Sequence, residues 1–292
     1  MIKIDVPKMR MEFKKNDEER DKGLKEPKTV KKVENLSYGN YGQDNLFDIY
    51  YPIDTKKVLP TIINIHGGGF FYGDKELYKY YTMFLASKGF TVVNFNYRLA
   101  PENKYPAPLE DINELVKWLL KEATCYNIDI NNLFLMGDSA GGQLAEQYAT
   151  LASNKNYQKL FDFKVPKVKF RAISLNCGVY FIGKDAPINK DFPFYFDEKL
   201  DEKTNQQFPV EDFITSDFPP CMITTASHDF LKDLAKPFHQ ILEAKKVSSK
   251  YNIYSNFDDT ELHHVFHLDL RNSVGIECNR DIINFFQKFI QV

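Results

Sequence analysis

Cysteine is scarce in this sequence, and no spacing typical of a metal site is present. The 292 residues include four cysteines, which lie far apart and form no C-x-x-C pair: Cys125, Cys177, Cys221 and Cys278. A disulfide framework or a zinc site would need denser spacing. We therefore expect reduced, mostly buried thiols in a cytoplasmic protein that uses no metal and no organic cofactor.

Long apolar runs and an excess of one charge are also missing. No stretch of about 18 apolar residues could span a membrane, and the polar N-terminus lacks the apolar region of a secretory signal. The 38 basic and 40 acidic residues leave a formal net charge of −2. This balance predicts no binding to nucleic acid, because it produces no strong positive field. The oligomeric state is not indicated, and a homodimer stays open.

Strand-like segments alternate with helical ones from about residue 29 onward. Apolar and β-branched runs predict strands at Asn45–Tyr51, Leu59–His66, Phe90–Tyr97, Leu133–Met136, Phe170–Asn176, Cys221–Ala226 and Asn252–Ser255. Helices are predicted at Leu77–Ser87, Leu109–Glu122, Ala140–Ser153, Asp233–Ala244 and Asp281–Phe289. The alternation indicates an α/β fold in one domain, residues 1–292, with a mostly parallel sheet and helices on both faces. An early strand pair near Lys31–Tyr51 lacks an intervening helix, which favours an antiparallel edge.

Two segments depart from this alternation. Residues 1–28 are polar, and we expect an arm or flap with one short helix around Met9–Lys22. Residues 179–218 are rich in aromatic side chains but show little periodicity. Long structureless loops inside compact domains usually have a function, so we predict that 179–218 is a cap insertion over the site.

A glycine-rich turn separates the predicted strand Leu133–Met136 from the helix after it. The segment Gly137–Gly141 matches G-x-S-x-G, in which a serine occupies a sharp turn between a strand and a helix. The glycines allow close approach, and the hydroxyl projects at the positive end of the helix. We interpret Ser139 as a nucleophile, because an incidental turn serine would not need both flanking elements.

A second glycine cluster, His66-Gly67-Gly68-Gly69, follows an earlier predicted strand. Ester hydrolysis builds negative charge on the former carbonyl oxygen, and preorganised backbone N–H groups stabilise that charge. We expect the oxyanion hole to use the N–H groups of Gly67, Gly68 and Ala140. A phosphate-binding loop is disfavoured, because the patterns of such loops are absent. The His66 ring is expected to hold the loop through hydrogen bonds.

Acidic and histidine residues follow the last two predicted strands. Triads on this type of fold run in the order Ser, then Asp or Glu, then His. Asp229 lies just past a strand end, whereas Asp233 lies one helical turn later and is expected to be a helix-start or loop residue. Three histidines follow the last strand and compete for the role of base: His263, His264 and His267.

Three motifs together carry a family resemblance that runs from about Leu59 to the C-terminus. They are His66–Gly69 as HGGG, Gly137–Gly142 as GDSAGG, and Tyr97–Asp111, which is similar to a YRLAPE…FPA…ED stretch. The chain resembles the hormone-sensitive-lipase-like carboxylesterases, also called α/β-hydrolase fold-3. The resemblance implies an α/β-hydrolase fold that hydrolyses short- to medium-chain acyl esters through a covalent acyl-enzyme.

The resemblance also implies site residues and a small cap. Ser139, Asp229 and His264 match the family's triad positions, with Phe230 where the family's D-P-L-x-D has proline and Val265 where its H-G-F has glycine. The cap would combine the N-terminal residues 1–28 with the insertion 179–218. Within the middle motif, two charged residues are expected to brace the turn before a helix: Arg98 and Glu102.

Two rival functions share these motifs. An amidase or deacetylase would use the same triad on an amide, and the sequence does not separate it from an esterase. A ligand-binding protein such as the plant gibberellin receptors keeps the serine but lacks the histidine, which is present here as His264. We also expect weak activity on emulsified long-chain triglyceride.

Overall fold

One mixed sheet organises the computed structural model, which describes residues 5–55, 57–183, 194–197, 199–256 and 260–291. Its strands are β1 (Val30–Ser37), β2 (Leu46–Pro52), β3 (Leu59–Ile65), β4 (Thr91–Phe95), β5 (Ile128–Asp138), β6 (Phe170–Asn176), β7 (Cys221–Ala226) and β8 (Ser249–Tyr254). Their spatial order is β1-β2-β4-β3-β5-β6-β7-β8. β2 pairs antiparallel with β1 and β4, and all other pairs are parallel. The predicted parallel sheet with an antiparallel edge is confirmed.

The helices are α1 (Val6–Asp21), α2 (Lys79–Ala86), α3 (Ala107–Glu122), α4 (Ala140–Ser153), α5 (Lys155–Gln158), α6 (Glu202–Asn205), α7 (Lys232–Ala244) and α8 (Ser273–Gln287). The bounds of α4 agree with the sequence prediction. The prediction for α8 began too late, at Asp281. The helix begins at Ser273 because the Asn272 side chain accepts hydrogen bonds from the N–H groups of Val274 and Gly275 and so caps it.

Side chains alternate along the central strands and so supply two apolar layers. Ile63 and Leu135 belong to the layer that includes residues of α3, α4 and α7. Their neighbours Ile62 and Phe134 belong to the layer that includes residues of α2 and α8. Helices therefore cover both faces of the sheet, as expected, and the sheet's buried centre holds the ends of β3 and β5 in place.

The N-terminal segment forms α1, which docks on the loop after the first glycine cluster. Arg10 donates two hydrogen bonds to the Glu102 carboxylate, at 2.9 and 2.7 Å. Its Nε also donates to the Phe71 carbonyl at 2.7 Å. No helix in the described ranges is long and apolar enough to span a membrane.

The two charged residues of the middle motif, Arg98 and Glu102, contact different segments of the chain. Arg98 braces the start of α3, as predicted, because its Nε donates to Asp111 at 2.9 Å and its Nη2 donates to Glu110 at 2.8 Å. Glu102 was expected to brace the same turn, and that prediction was wrong. Its carboxylate pairs with Arg10 of α1 instead, a contact between segments 92 positions apart.

The predicted cap insertion is described only in part. Residues 184–193 and 198 of the insertion lie outside the described residues. The described part contains α6 and a short helical turn at Val210–Phe213. Tyr195 stacks on Phe70, with ring centroids 3.9 Å apart. The insertion thus packs against the residue that follows the first glycine cluster.

Candidate active site

Ser139 lies at a sharp turn between β5 and α4. Its backbone has φ 52° and ψ −121°, a conformation that costs energy for any residue with a Cβ. A Cβ added at Gly137 would lie 2.2 Å from the Gly141 carbonyl oxygen, and one at Gly141 would lie 2.2 Å from the Ile65 carbonyl oxygen. Only glycine fits at these two positions, so the motif's spacing is what makes the turn feasible.

His264 and Asp229 form a hydrogen-bonded pair. Nδ1 of His264 lies 2.8 Å from Oδ1 of Asp229. The Asp229 carboxylate is buried and also accepts from Thr225 Oγ1 at 3.0 Å and from the Leu231 N–H at 2.9 Å. Burial opposes ionisation, but the hydrogen bond from His264 and the Leu231 N–H hold the pKa of Asp229 below its ordinary value. The carboxylate is therefore ready to orient the imidazole.

The rival histidines lie elsewhere. His263 is exposed, and its Nε2 lies 3.3 Å from the Glu261 carboxylate. His267 is completely buried, and its ring meets the Tyr81 ring edge-on at 5.5 Å. Burial lowers the pKa of His267 to about 3. Among the described histidines after β8, only His264 therefore contacts a candidate acid.

The backbone N–H groups of the first glycine cluster differ in their hydrogen bonding. The Gly67 N–H already donates to the Tyr78 hydroxyl at 2.9 Å. Gly68 and Gly69 adopt φ values of 108° and 60°, and their N–H groups have no acceptor among the described residues. Ala140 is the first residue of α4, where an N–H has no partner within the helix. The predicted donor Gly67 therefore has its N–H already engaged, whereas the neighbouring N–H of Gly69 has no such bond among the described residues.

A cavity of about 660 Å³ brings these parts together. Ser139 and His264 both line it, next to Gly67, Gly68 and Gly69. Helix α1 supplies one wall, with Met9, Phe13, Asn16 and Asp17. The other lining residues are mostly aromatic or apolar: Phe71, Tyr72, Gly73, Tyr78, Asp138, Phe230, Val265 and Leu268. No Lys or Arg is found among these described lining residues, so the cavity offers no basic side chain to an anionic ligand.

Comparisons with known proteins identify the family of this chain. A family model described as BD-FAE matches residues 47–236. The chain belongs to the BD-FAE family. An acetyl esterase of Salmonella paratyphi B is 26% identical to it over 254 residues, which cover 82% of this chain and 74% of that relative.

Solved structures share the fold of this BD-FAE chain. Esterase B from Lactobacillus Rhamnosis, inhibited by a tributyrin phosphonate, has a TM-score of 0.84 and 26% identity, covering 97% of this chain and 94% of that one. EstE1, a thermostable carboxylesterase cloned from a metagenomic library, has a TM-score of 0.78 at 20% identity and covers 100% of both chains. The chain is an α/β-hydrolase of the hormone-sensitive-lipase-like group and a carboxylic ester hydrolase.

His66 supports the glycine loop of this BD-FAE protein. Its Nδ1 lies 2.8 Å from the Gly67 carbonyl oxygen, and its ring stacks on Tyr97 with centroids 4.1 Å apart. The Tyr97 hydroxyl donates to the His66 carbonyl at 2.8 Å. Burial lowers the pKa of His66 to about 4, so the ring is neutral near pH 7. One ring contact of the predicted kind is therefore present, between Nδ1 and the adjacent Gly67 carbonyl.

Sequence reasoning missed three residues that support the site. Asp138 and Tyr78 hydrogen-bond to each other behind the glycine loop, at 2.8 Å. Cys177 follows β6 and has φ 49°, and its Sγ lies within 4.8 Å of ligand-type atoms of Asp229 and His264. A lone cysteine and a lone tyrosine carry no spacing signal, so only the folded chain identifies them. Burial raises the pKa of the Cys177 thiol, which therefore remains protonated and can donate to Asp229.

Proposed function

We propose that this enzyme hydrolyses short- to medium-chain acyl esters through an acyl-enzyme on Ser139, with His264 as the base and Asp229 as the acid that orients it. The observation that carries the proposal is the 2.8 Å bond between His264 Nδ1 and the buried Asp229, with His264 and Ser139 lining one cavity. That bond leaves Nε2 as the ring nitrogen that can accept a proton from Ser139.

The chemistry follows from these positions. Nε2 of His264 takes the Ser139 proton as the hydroxyl oxygen bonds to the acyl carbon and the carbonyl π electrons move onto oxygen. When the tetrahedral intermediate collapses, the ester C–O bond breaks and His264 protonates the departing alcohol. Water then repeats the sequence, releasing the carboxylic acid and restoring Ser139.

The negative oxygen of each intermediate would rest on backbone N–H groups. We assign these to Gly68, Gly69 and Ala140, since the Gly67 N–H is occupied by Tyr78. Losing one such donor typically costs about 10²–10³ in turnover. The positive end of the α4 helix dipole, at Ala140, adds to the stabilisation.

The acyl preference rests on the cavity. About 660 Å³ with aromatic walls accommodates a short or medium uncharged acyl group and its alcohol. The relatives support this size, because one is an acetyl esterase and another binds a tributyrin phosphonate. Residues 1–28 and 179–218 would form the cap, since α1 contributes Phe13 and Met9 to the wall.

The test is hydrolysis of p-nitrophenyl acetate, butyrate and octanoate by four proteins. Wild type should be active, and Ser139→Ala and His264→Ala should each lose about 10³-fold or more in kcat. The matched control His263→Ala, which removes the adjacent exposed imidazole, should stay within about twofold of wild type. Equal losses in His263→Ala, or retained activity in Ser139→Ala, would overturn the assignment. Faster hydrolysis of p-nitroacetanilide than of the acetate would favour an amidase.

A further inference from the structure

We propose that Tyr78 is a positioning residue that fixes the loop Gly67–Gly69 against the nucleophile turn, acting through Asp138. The inference deepens the proposed function and rests on it. The Gly67 N–H donates to the Tyr78 hydroxyl oxygen at 2.9 Å, and the same hydroxyl donates to Oδ2 of Asp138 at 2.8 Å. One hydroxyl therefore links two segments of the chain: it accepts from the backbone of one and donates to a side chain of the other.

The two linked segments are those that carry the reacting machinery. Asp138 is the last residue of β5 and immediately precedes Ser139, while Gly67 immediately precedes Gly68. The Tyr78 hydroxyl thus spans from the position before the nucleophile to the position before the proposed oxyanion donors. A shift of Gly67 by a few tenths of an ångström would carry the next two N–H groups with it.

The residues joined by these hydrogen bonds are closely packed and buried. A Cβ at Gly67 would lie 2.5 Å from Oδ2 of Asp138 and 3.2 Å from the Tyr78 hydroxyl. The Tyr78 side chain is 6% exposed and Asp138 is 2% exposed, so water does not compete well for these bonds. The Tyr78 ring also lies 5.9 Å from the His66 ring, centroid to centroid.

The ionisation of the pair agrees with this arrangement. Burial raises the pKa of Asp138 to about 7, and the hydrogen bond from Tyr78 counteracts part of that rise. Burial and the neighbouring carboxylate raise the pKa of Tyr78 well above its ordinary value. Near neutral pH the tyrosine therefore stays a neutral hydroxyl, able to donate to Asp138 while it accepts from Gly67.

Tyr78→Phe tests the proposal, because it removes one oxygen and keeps the buried ring. We expect kcat on p-nitrophenyl butyrate to fall about 10- to 100-fold with KM within about threefold, since a misplaced loop costs transition-state stabilisation rather than ester binding. A trifluoromethyl ketone, whose adduct with Ser139 places an oxyanion in the hole, should lose affinity by the same factor as kcat/KM. A merely structural role would not couple these two quantities.

Tyr81→Phe is the matched control. Tyr81 lies in α2, three residues after Tyr78, and is also buried, but its hydroxyl donates to Asn279 at 3.1 Å. This variant should keep ketone affinity and kcat within about twofold of wild type while losing a similar buried hydrogen bond. Unchanged kcat and ketone affinity in folded Tyr78→Phe would overturn the proposal.

A second pair of variants covers the case in which Tyr78→Phe fails to fold. Asp138→Asn retains an oxygen that can accept from Tyr78 and should keep most activity, whereas Asp138→Ala should lose about as much as Tyr78→Phe. Equal activities for Asp138→Asn and Asp138→Ala would contradict the link. Ser139→Ala distinguishes a failure of this inference from a failure of the proposed function. If Ser139→Ala is inactive while the Tyr78 and Asp138 variants have normal activity, this inference alone fails. If Ser139→Ala is active, the proposed function fails.

Discussion

The ring of Phe230 lies over the ring of His264, with centroids 4.5 Å apart and planes inclined by 50°. Phe230 is 72% exposed, a large value for an aromatic side chain, and it lines the cavity beside His264. The D-P-L-x-D segment of the hormone-sensitive-lipase-like carboxylesterases has proline at this position. The phenyl ring therefore contacts the imidazole beside the cavity, and we predict that it also contacts the substrate.

Replacing Phe230 by alanine should weaken binding of aryl and alkyl esters. We expect KM for p-nitrophenyl butyrate to rise roughly fivefold, equivalent to about 1 kcal/mol of lost apolar contact, with kcat changed less than twofold. Steady-state kinetics measure both values. Phe230→Tyr keeps the ring and should match wild type. An unchanged KM in Phe230→Ala would show that the ring does not contact substrate.

Val265 carries backbone strain that a glycine would relieve. Its φ of 53° and ψ of 28° lie in the left-handed region, which β-branched residues rarely adopt. Comparing Val265→Gly with Val265→Ala isolates this term, because both remove the valine methyl groups. We expect the free energy of unfolding, measured by urea titration, to be about 1 kcal/mol higher for the glycine variant than for the alanine variant. A more stable alanine variant would mean that the strain is absent in solution.

Local patterns predicted much of the fold and the positions of the candidate triad. β6, β7 and α4 agree with their predicted bounds, because apolar runs mark the two strands and a glycine-rich turn marks the start of the helix. The start of α8 was missed because it depends on the Asn272 side chain, which resembles any loop asparagine in the sequence.

The remaining site features depend on contacts that sequence spacing does not report. Gly67 and Tyr78 are 11 positions apart, and Tyr78 and Asp138 are 60 apart. Nothing local shows that the Tyr78 hydroxyl will accept from the Gly67 N–H, so the sequence analysis counted Gly67 among the expected donors. The Arg10–Glu102 pair, 92 positions apart, was missed for the same reason.

Arg10 should hold α1 over the cavity. Arg10→Met removes the bonds to Glu102 and to the Phe71 carbonyl, so α1 should detach more often and its wall residue Phe13 should contact substrate less. We expect KM for p-nitrophenyl octanoate to rise roughly fivefold while KM for the acetate changes less than twofold. Lys14→Met, an exposed change on the same helix, is the control. Equal changes for both esters would contradict a role for α1 in binding the longer chain.

His267 should make the fold sensitive to acid. Burial lowers its pKa to about 3, whereas an unfolded imidazole titrates near pH 6.5. The unfolded chain therefore binds more protons between these values, so the stability from a neutral His267 is complete above pH 6.5 and is lost as the pH falls toward 3. At pH 5 the loss from this group should be about 2 kcal/mol.

The measurement is the fall in Tm between pH 7.5 and pH 5 for wild type and His267→Met. The fall should be smaller in the variant by several degrees, because methionine has no proton to bind. His263→Met, which replaces an exposed imidazole, should behave as wild type does. An identical fall in wild type and His267→Met would show that His267 does not stay neutral in the folded state.

Labelling with a fluorophosphonate tests the nucleophile and its activation most directly. Intact mass and peptide mapping should show one phosphonyl group per wild-type chain, attached to Ser139, and the labelling rate in His264→Ala should fall about 10³-fold or more. Absence of the adduct from Ser139, or a His264→Ala variant that labels at the wild-type rate, would contradict a serine activated by the His264–Asp229 pair.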